Sequence, residues 1–289
     1  MRAQVVLTTA ESKKLIAKAV ARLDVVRRAA KEGTVALHPS SSTYFVVEEL
    51  TGAIPRRNYW VCGAVTPRGM CVEMAMVLGE GYTPRESSSD PGDLRATWII
   101  EKGKLSAEES LSSLLDRMKS SDVYIKGVNA LDREGNVGVL FGQVGSFTYI
   151  QSMKRKRKFT IVYPAGLEKL IPITIREAAK EAKRTSYEYG MGLPVGLYPC
   201  PADITVDEVR AVRILSGAEA IPIAAGGLGG AEGAVTLVLK GERHQVETAL
   251  EFVEQSKGAR LPQLRLCHCR GCPVPDCKFP VADKHWAAF

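Results

Sequence analysis

Two short stretches carry side chains suited to holding an anion. Residues 33–50, GTVALHPSSSTYFVVEEL, pass from an apolar run through Ser40, Ser41, Ser42 and Thr43 into a helical pattern. Helix N-termini present unpaired N–H groups and partial positive charge, so they bind anions, and four hydroxyls add donors there. Helix capping alone needs only one of the four, which is the competing reading. Residues 121–138, SDVYIKGVNALDREGNVG, place Lys126 directly after an apolar strand, with Asn129, Asp132 and Asn136 close behind. Lys126 can hold a phosphate or carboxylate, Asn129 and Asn136 can hydrogen-bond a ligand, and Asp132 can act as general acid or base if its pKa suits. The alternative for LDREGN is a plain turn, in which Asp, Gly and Asn each stabilise the bend.

A third stretch, IAAGGLGGAEGAVTLVLKG at 223–241, sets glycines between two apolar runs, and Glu232 is the one charge inside the loop. A flexible hairpin connection is the simpler reading. The chemical reading is a loop that closes over a ligand, with Glu232 as a carboxylate nucleophile. The loop lacks the strand–GxGxxG–helix context of a dinucleotide fingerprint.

Near the carboxyl end, CHCRGCPVPDC holds Cys267, Cys269, Cys272 and Cys277. Thiolates are soft ligands that suit zinc or an iron–sulfur cluster. The spacing C-x-C-x2-C-x4-C resembles the compact cysteine runs of ferredoxins and is tighter than the two separated pairs of a zinc ribbon. His268 and His285 are further donors for a mixed site. In a reducing compartment such crowding points to metal, with disulfides or free thiols on a flexible tail as the alternatives. Cys62, Cys71 and Cys200 lie in or near apolar segments and read as core residues.

The chain has 289 residues, 45% hydrophobic and 25% charged, the composition of a globular protein with a sizeable core. Its net charge of +7 favours anionic partners such as phosphates or CoA. Much of that excess sits in KRKRK at Lys154–Lys158, read as a solvated loop between two elements or as a phosphate-gripping patch. No nucleic-acid motif surrounds it, so nucleic acid is disfavoured as a partner. No apolar run is long enough to span a membrane, and the opening MRAQVVLTTAESKKLIAKAV lacks a signal peptide's apolar core. The expected location is cytoplasmic, and a homo-oligomer is compatible with the sequence.

These residues need elements to position them. Leu15, Ile16, Val20, Leu23 and Val26 recur at helical spacing, predicting one helix over Ser12–Lys31 that ends at Gly33. TVALHP follows as a strand, then a helix from SSSTYFVVEEL, a β-rich stretch in NYWVCGAVTPRGMCVEM and a strand in RATWIIEKG. A helix is expected over Ser106–Lys119, opened by a capping box of Ser106 and Glu109. DVYIKG and FTIVYP read as buried strands, and IREAAKEAKRTSYEYG as a helix. Strands alternating with helices imply an α/β fold with a parallel sheet. Beyond about Tyr187 the order becomes helix, strand, strand, helix, which suggests an antiparallel pair. The expected organisation is a Rossmann-like domain with helices on both faces over 1–186, a small α+β subdomain over 187–260 and a Cys-rich metal-binding tail over 261–289.

The first two stretches together resemble the superfamily of ribose-5-phosphate isomerase, glucosamine-6-phosphate deaminase and CoA transferases, over roughly residues 32–164. The resemblance implies a Rossmann-like sheet with a phosphate loop after an early strand. Pro39–Thr43 fall where the isomerases carry a Gly-rich loop ending in Ser-Thr; the Ser-Thr is kept and the glycines are not. Their Gly-Ala-Asp-Glu-x-Asp motif reads Gly127, Val128, Asn129, Ala130, Leu131, Asp132, so only the outer Gly and Asp match. Asn129 in place of the first aspartate cannot abstract a proton. LDREGNVG is similar to the aspartate and Gly-Asn turn of CoA transferases. The resemblance implies an enzyme acting on a phosphorylated or CoA-linked small molecule, with Ser41, Ser42 and Thr43 on phosphate, Lys126 on a second anionic group and Asp132 as acid/base. A non-catalytic ligand sensor, responsive to metal or redox state, is the alternative, and an electron-transfer protein built on the cysteine tail is a third.

Overall fold

The computed structural model describes residues 1–55, 60–61, 63–71, 97–105, 109–142, 146–201, 203–264 and 277. The chain opens with β1 (Arg2–Leu7), and Thr8 then caps α1 (Thr9–Val20) in a capping box with Glu11. The single helix expected over Ser12–Lys31 is two. Leu23 leaves helical geometry at ψ 131°, and α2 (Asp24–Glu32) restarts with Asp24 in its first turn. The apolar spacing runs on through this break, so periodicity alone did not show it.

β2 (Thr34–Leu37) is buried at every residue, and α3 (Ser41–Thr51) follows it. The hairpin β3 (Ala64–Thr66) and β4 (Gly69–Cys71) comes next, then β5 (Trp98–Glu101) and β6 (Lys104–Leu105). α4 (Leu111–Arg117) begins later than expected: Ser110, not Ser106, is its N-cap, and its hydroxyl accepts from Ser113 N. Glu109 instead pairs with Arg117 one helix length away, while Ser106 lies outside the described residues.

The chain continues through β7 (Val123–Ile125), β8 (Ala130–Leu131), β9 (Val137–Phe141), α5 (Ser146–Arg157) and β10 (Thr160–Pro164). Lys154–Arg157 form the last turn of α5, not a loop. Cations there meet the negative end of the helix dipole, which is the physical reason a basic run can remain helical. A single 3-10 turn, Leu167–Lys169, leads to α6 (Ile175–Glu181), β11 (Gly196–Pro199), β12 (Ile204–Val206), α7 (Glu208–Ser216), β13 (Glu219–Ala225), β14 (Val235–Lys240) and α8 (Arg243–Ser256).

The fold is mixed α/β around a largely parallel sheet. That sheet has six strands in the order β12-β10-β7-β2-β5-β6. β12, β10, β7 and β2 run parallel, and β5 and β6 add antiparallel strands at one edge. Alternate side chains enter two cores. Val35, Leu37, Val123, Ile125 and Val162 pack with α1, α2, α3 and α7, whereas Ala36, Tyr124, Ile161 and Tyr163 pack with α4 and α5. Both faces are therefore covered by helices, which explains why these strands read as continuous apolar runs.

The carboxyl-terminal helix–strand–strand–helix order holds, but its sheet has a third member from the other end of the chain. β1 pairs with β14 through six residues, Arg2↔Lys240 to Leu7↔Val235, giving the order β1-β14-β13. β12 joins the central sheet and β11 pairs with β9. Among the described residues no helix is long and apolar enough to cross a membrane.

Candidate anion-binding site

Parallel strands end at a common rim, and the loops that follow them converge there. The register Leu37↔Ile125 between β2 and β7 sets His38 beside Lys126, and His38 N donates to Ile125 O at 2.9 Å. Lys126 N donates in turn to Val162 O on β10. The carboxyl ends of β2, β7, β10 and β12 thus deliver four segments to one rim: His38–Thr43, Lys126–Asn129, Ala165–Lys169 and Asp207–Glu208.

The serine cluster divides into distinct roles. Ser40 is the N-cap of α3; its hydroxyl accepts from Thr43 N at 3.3 Å. Thr43 is fully buried and donates its hydroxyl to His38 O at 2.6 Å. These two side chains shape the loop. Ser41 opens the helix and is half-buried. Ser42 differs: its hydroxyl accepts from Lys169 Nζ at 2.9 Å, a contact between residues 127 apart in sequence.

The loop after β7 lies against the same serines. A Cβ built on Gly127 would sit 2.6 Å from Ser40 Oγ and 3.6 Å from Ser42 Cβ, so only glycine lets the two loops approach this closely. Lys126, 8% exposed, lays its ammonium 5.8 Å over the Phe147 ring. The structure therefore brings Lys126 and the Ser40–Thr43 loop together at one rim.

Around them stands a charge cluster that the sequence reading missed. Lys13 on α1 pairs with Glu168 at 2.7 Å. Glu208, fully buried at the start of α7, accepts from Leu167 N at 2.9 Å. Burial pulls the half-buried Lys169 ammonium down to about 8; Glu168 and Glu208 oppose the shift, and Lys13 and Lys126 add to it. Burial, with Glu168 nearby, pushes Glu208 up to about 7. His38 lies well below its ordinary value because it is buried and faces the Lys126 charge, so its imidazole is neutral at pH 7. Its Nδ1 lies 3.4 Å from the Tyr124 hydroxyl. One available signal was positional. His38 follows the strand TVAL as Lys126 follows VYI, and AGLEK follows FTIVYP in the same way. Lys13 and Glu208, by contrast, arrive from helices, and nothing local marks them.

The remaining predicted residues lie elsewhere or have structural partners. Asp132, 4% exposed, accepts from Glu134 N, Asn136 N, Asn136 Nδ2 and Ile175 N at 2.9–3.1 Å. Burial alone would raise its pKa, but these bonds more than offset it and hold the carboxyl below its usual range. Asn136 closes that turn, and Asn129 Oδ1 accepts from Leu140 N on β9. Asp132, Asn136, Thr174, Arg176 and Cys200 line a separate cavity of about 630 Å3. Glu232 is exposed in its loop and accepts from Gly230 N. The base of that loop returns to the rim, where a Cβ on Gly233 would lie 2.8 Å from Thr9 Cγ2 and 3.7 Å from Glu168 Cβ.

Cys267, Cys269 and Cys272 lie outside the described residues, and Cys277 is half-buried. Among the described residues no three His, Cys, Asp or Glu side chains converge to hold a metal. Cys200 is half-buried, and burial pushes its thiol up to about 12.

Comparison of the chain with protein-family models, with curated proteins and with solved structures gives no match in any of the three.

Proposed function

We propose that the chain binds a phosphorylated or CoA-linked small molecule by its anionic group at the carboxyl rim of β2, β7 and β10, as the CoA-transferase and sugar-phosphate-isomerase superfamily it resembles would do on a Rossmann-like sheet. The observation that carries this reading is the meeting of Lys169 Nζ and Ser42 Oγ at 2.9 Å in the first turn of the 11-residue helix α3, with the loop that carries Lys126 packed against Ser40 and Ser42 through Gly127. The enzyme reading has a base available in Lys169, whose amine is held down to about 8. Asp132 is not needed for that role, because its oxygens already hold a turn and the start of α6 together.

A thermal-shift series with inorganic phosphate, sugar phosphates and CoA esters tests it. Saturation at 100 times the dissociation constant stabilises by about 2.7 kcal/mol, several degrees for a chain of this size. Lys126→Met keeps an apolar stem over Phe147 but removes the charge, and the shift is expected to vanish in that variant. A shift of full size in Lys126→Met, or no shift with any of these ligands, overturns the reading.

A further inference from the structure

We propose that Ser42 and Lys169 are a nucleophile and its general base for acyl transfer from an ester or thioester whose anionic arm the rim holds. The inference rests on the rim being the binding site and adds a reaction to it.

The geometry separates Ser42 from its neighbours. Ser40 supplies the cap of α3 and Thr43 ties the loop to His38 O. The Ser42 hydroxyl is spent on neither and points to Lys169 Nζ, 2.9 Å away. A nucleophilic hydroxyl needs a base within about 2.6–3.2 Å, and serine–lysine pairs are one known solution. Lys169 arrives on the turn after β10, two strands away from β2 at the same rim, so tertiary structure and not local sequence makes the contact. Gly166 keeps that turn tight, since a Cβ there would collide with the Glu168 carboxylate. Glu168 Oε1 pairs with Lys13, and Lys169 Nζ makes its hydrogen bond to Ser42 Oγ.

The environment suits the chemistry. Lys169 serves as a base only when neutral, and its amine is held near 8 by burial, with Lys13 and Lys126 contributing. Ser42 sits in the first turn of α3, where the helix dipole and backbone N–H groups stabilise a developing oxyanion. Ser42 is only 2% exposed, so the carbonyl must approach beside the half-buried Lys169.

The steps balance. Ser42 Oγ attacks the carbonyl carbon, and its proton passes to Lys169 Nζ as the C–O bond forms. The tetrahedral oxyanion collapses, expelling the thiolate or alkoxide, which takes the proton from Lys169 and leaves an acyl-Ser42 ester. Water then attacks the ester and gives a proton to Lys169. Collapse releases the carboxylic acid and returns the proton to Ser42 Oγ. Net, an ester or thioester and water give an acid and an alcohol or thiol.

The test is labelling of the full chain with an alkyl fluorophosphonate, read by peptide mass spectrometry, beside the phosphate thermal shift on the same preparation. A covalent adduct is expected on Ser42, with a labelling rate that climbs with pH to a plateau above about 8. Lys169→Met and Lys169→Arg are expected to slow labelling by about 100-fold or more. Arginine keeps the charge and much of the packing but cannot act as a base, so its failure to rescue separates chemistry from folding. Circular dichroism confirms that each variant is folded. A phosphate shift without any Ser42 adduct overturns this inference alone. Absence of both overturns the binding site as well. An adduct whose rate is unchanged in Lys169→Arg overturns the role of the lysine.

Discussion

Asp132→Ala separates a structural carboxylate from a chemical one. The side chain accepts four hydrogen bonds, from the backbone of Glu134, Asn136 and Ile175 and from the Asn136 amide. The Glu134 and Asn136 donors lie in a turn that water can reach, so much of their loss is recovered by hydration. The Ile175 N–H is buried at the start of α6 and would be left without its acceptor, at a cost of about 1–3 kcal/mol. With one further charged bond lost, the sum is about 3 kcal/mol, or on the order of 5 °C in melting temperature for a chain of this length. The pH dependence has a definite sign. The folded carboxyl is held below the ordinary aspartate value of 3.8, so its contribution is complete above that value and is lost as pH falls through the lower, folded one. Thermal melts followed by circular dichroism should therefore separate parent from variant widely at pH 7, with the gap closing as pH falls below the ordinary aspartate range. Ligand shifts at the rim should persist in the folded variant at low temperature. Coincident melting curves at pH 7, together with loss of ligand response, would refute this reasoning and return Asp132 to the reacting group.

Two other substitutions probe the rim. Gly127→Ala places a methyl 2.6 Å from Ser40 Oγ and displaces the α3 cap, so a loss of about 1 kcal/mol and a weaker phosphate shift are expected together. A melt and a phosphate titration on one sample check it. Glu208→Gln tests the buried acid. Between its unfolded value near 4.5 and its folded value near 7, the native protein keeps a proton that the unfolded chain has released, so this group makes stability fall as pH rises. The parent minus Glu208→Gln difference in melting temperature should therefore decline from pH 5 to pH 8, and a flat difference would show that Glu208 does not titrate there.

The strands and helices that flank the rim were legible because each is marked locally. TVAL, VYI and TIVYP are short apolar runs between polar boundaries, and their burial on both faces explains that pattern. Gly217 ends α7 in left-handed geometry, which glycine adopts without strain. Partners were harder to read. RAQVVL alternates as a strand should, with Val5 and Leu7 buried, yet nothing near residue 2 announces that β14 waits 238 residues away. The antiparallel entry of β5 beside β2 is likewise set by packing, since Ile99 and Ile100 face opposite cores as a parallel strand's residues also would. The same limit applies to the site. Lys126 and Ser42 were visible as residues that a core strand and a helix cap do not require. Lys169 became meaningful only when β10 was placed beside β7 and its following turn swung over Ser42.

The energetics of the rim argue for function over structure. Lys13, Lys126, Glu168, Lys169 and Glu208 crowd the ends of four strands whose other positions are almost wholly apolar. Replacing a buried ion pair by packed apolar side chains is often neutral or stabilising, so a fold has little to gain from this arrangement on its own account. The opposing shifts of Lys169 downward and Glu208 upward record the cost in the molecule itself, since each is pushed toward its neutral form. Perturbed groups of this kind concentrate where a protein binds or reacts. An arriving phosphate or carboxylate would reverse part of that cost by giving Lys169 a further countercharge. Ligand binding at this rim should thus raise the Lys169 pKa. A base in the free protein would become a proton-holding clamp once an anion sits against it, so the anionic arm of a substrate must lie nearer Lys126 than Lys169 for the serine to remain activated.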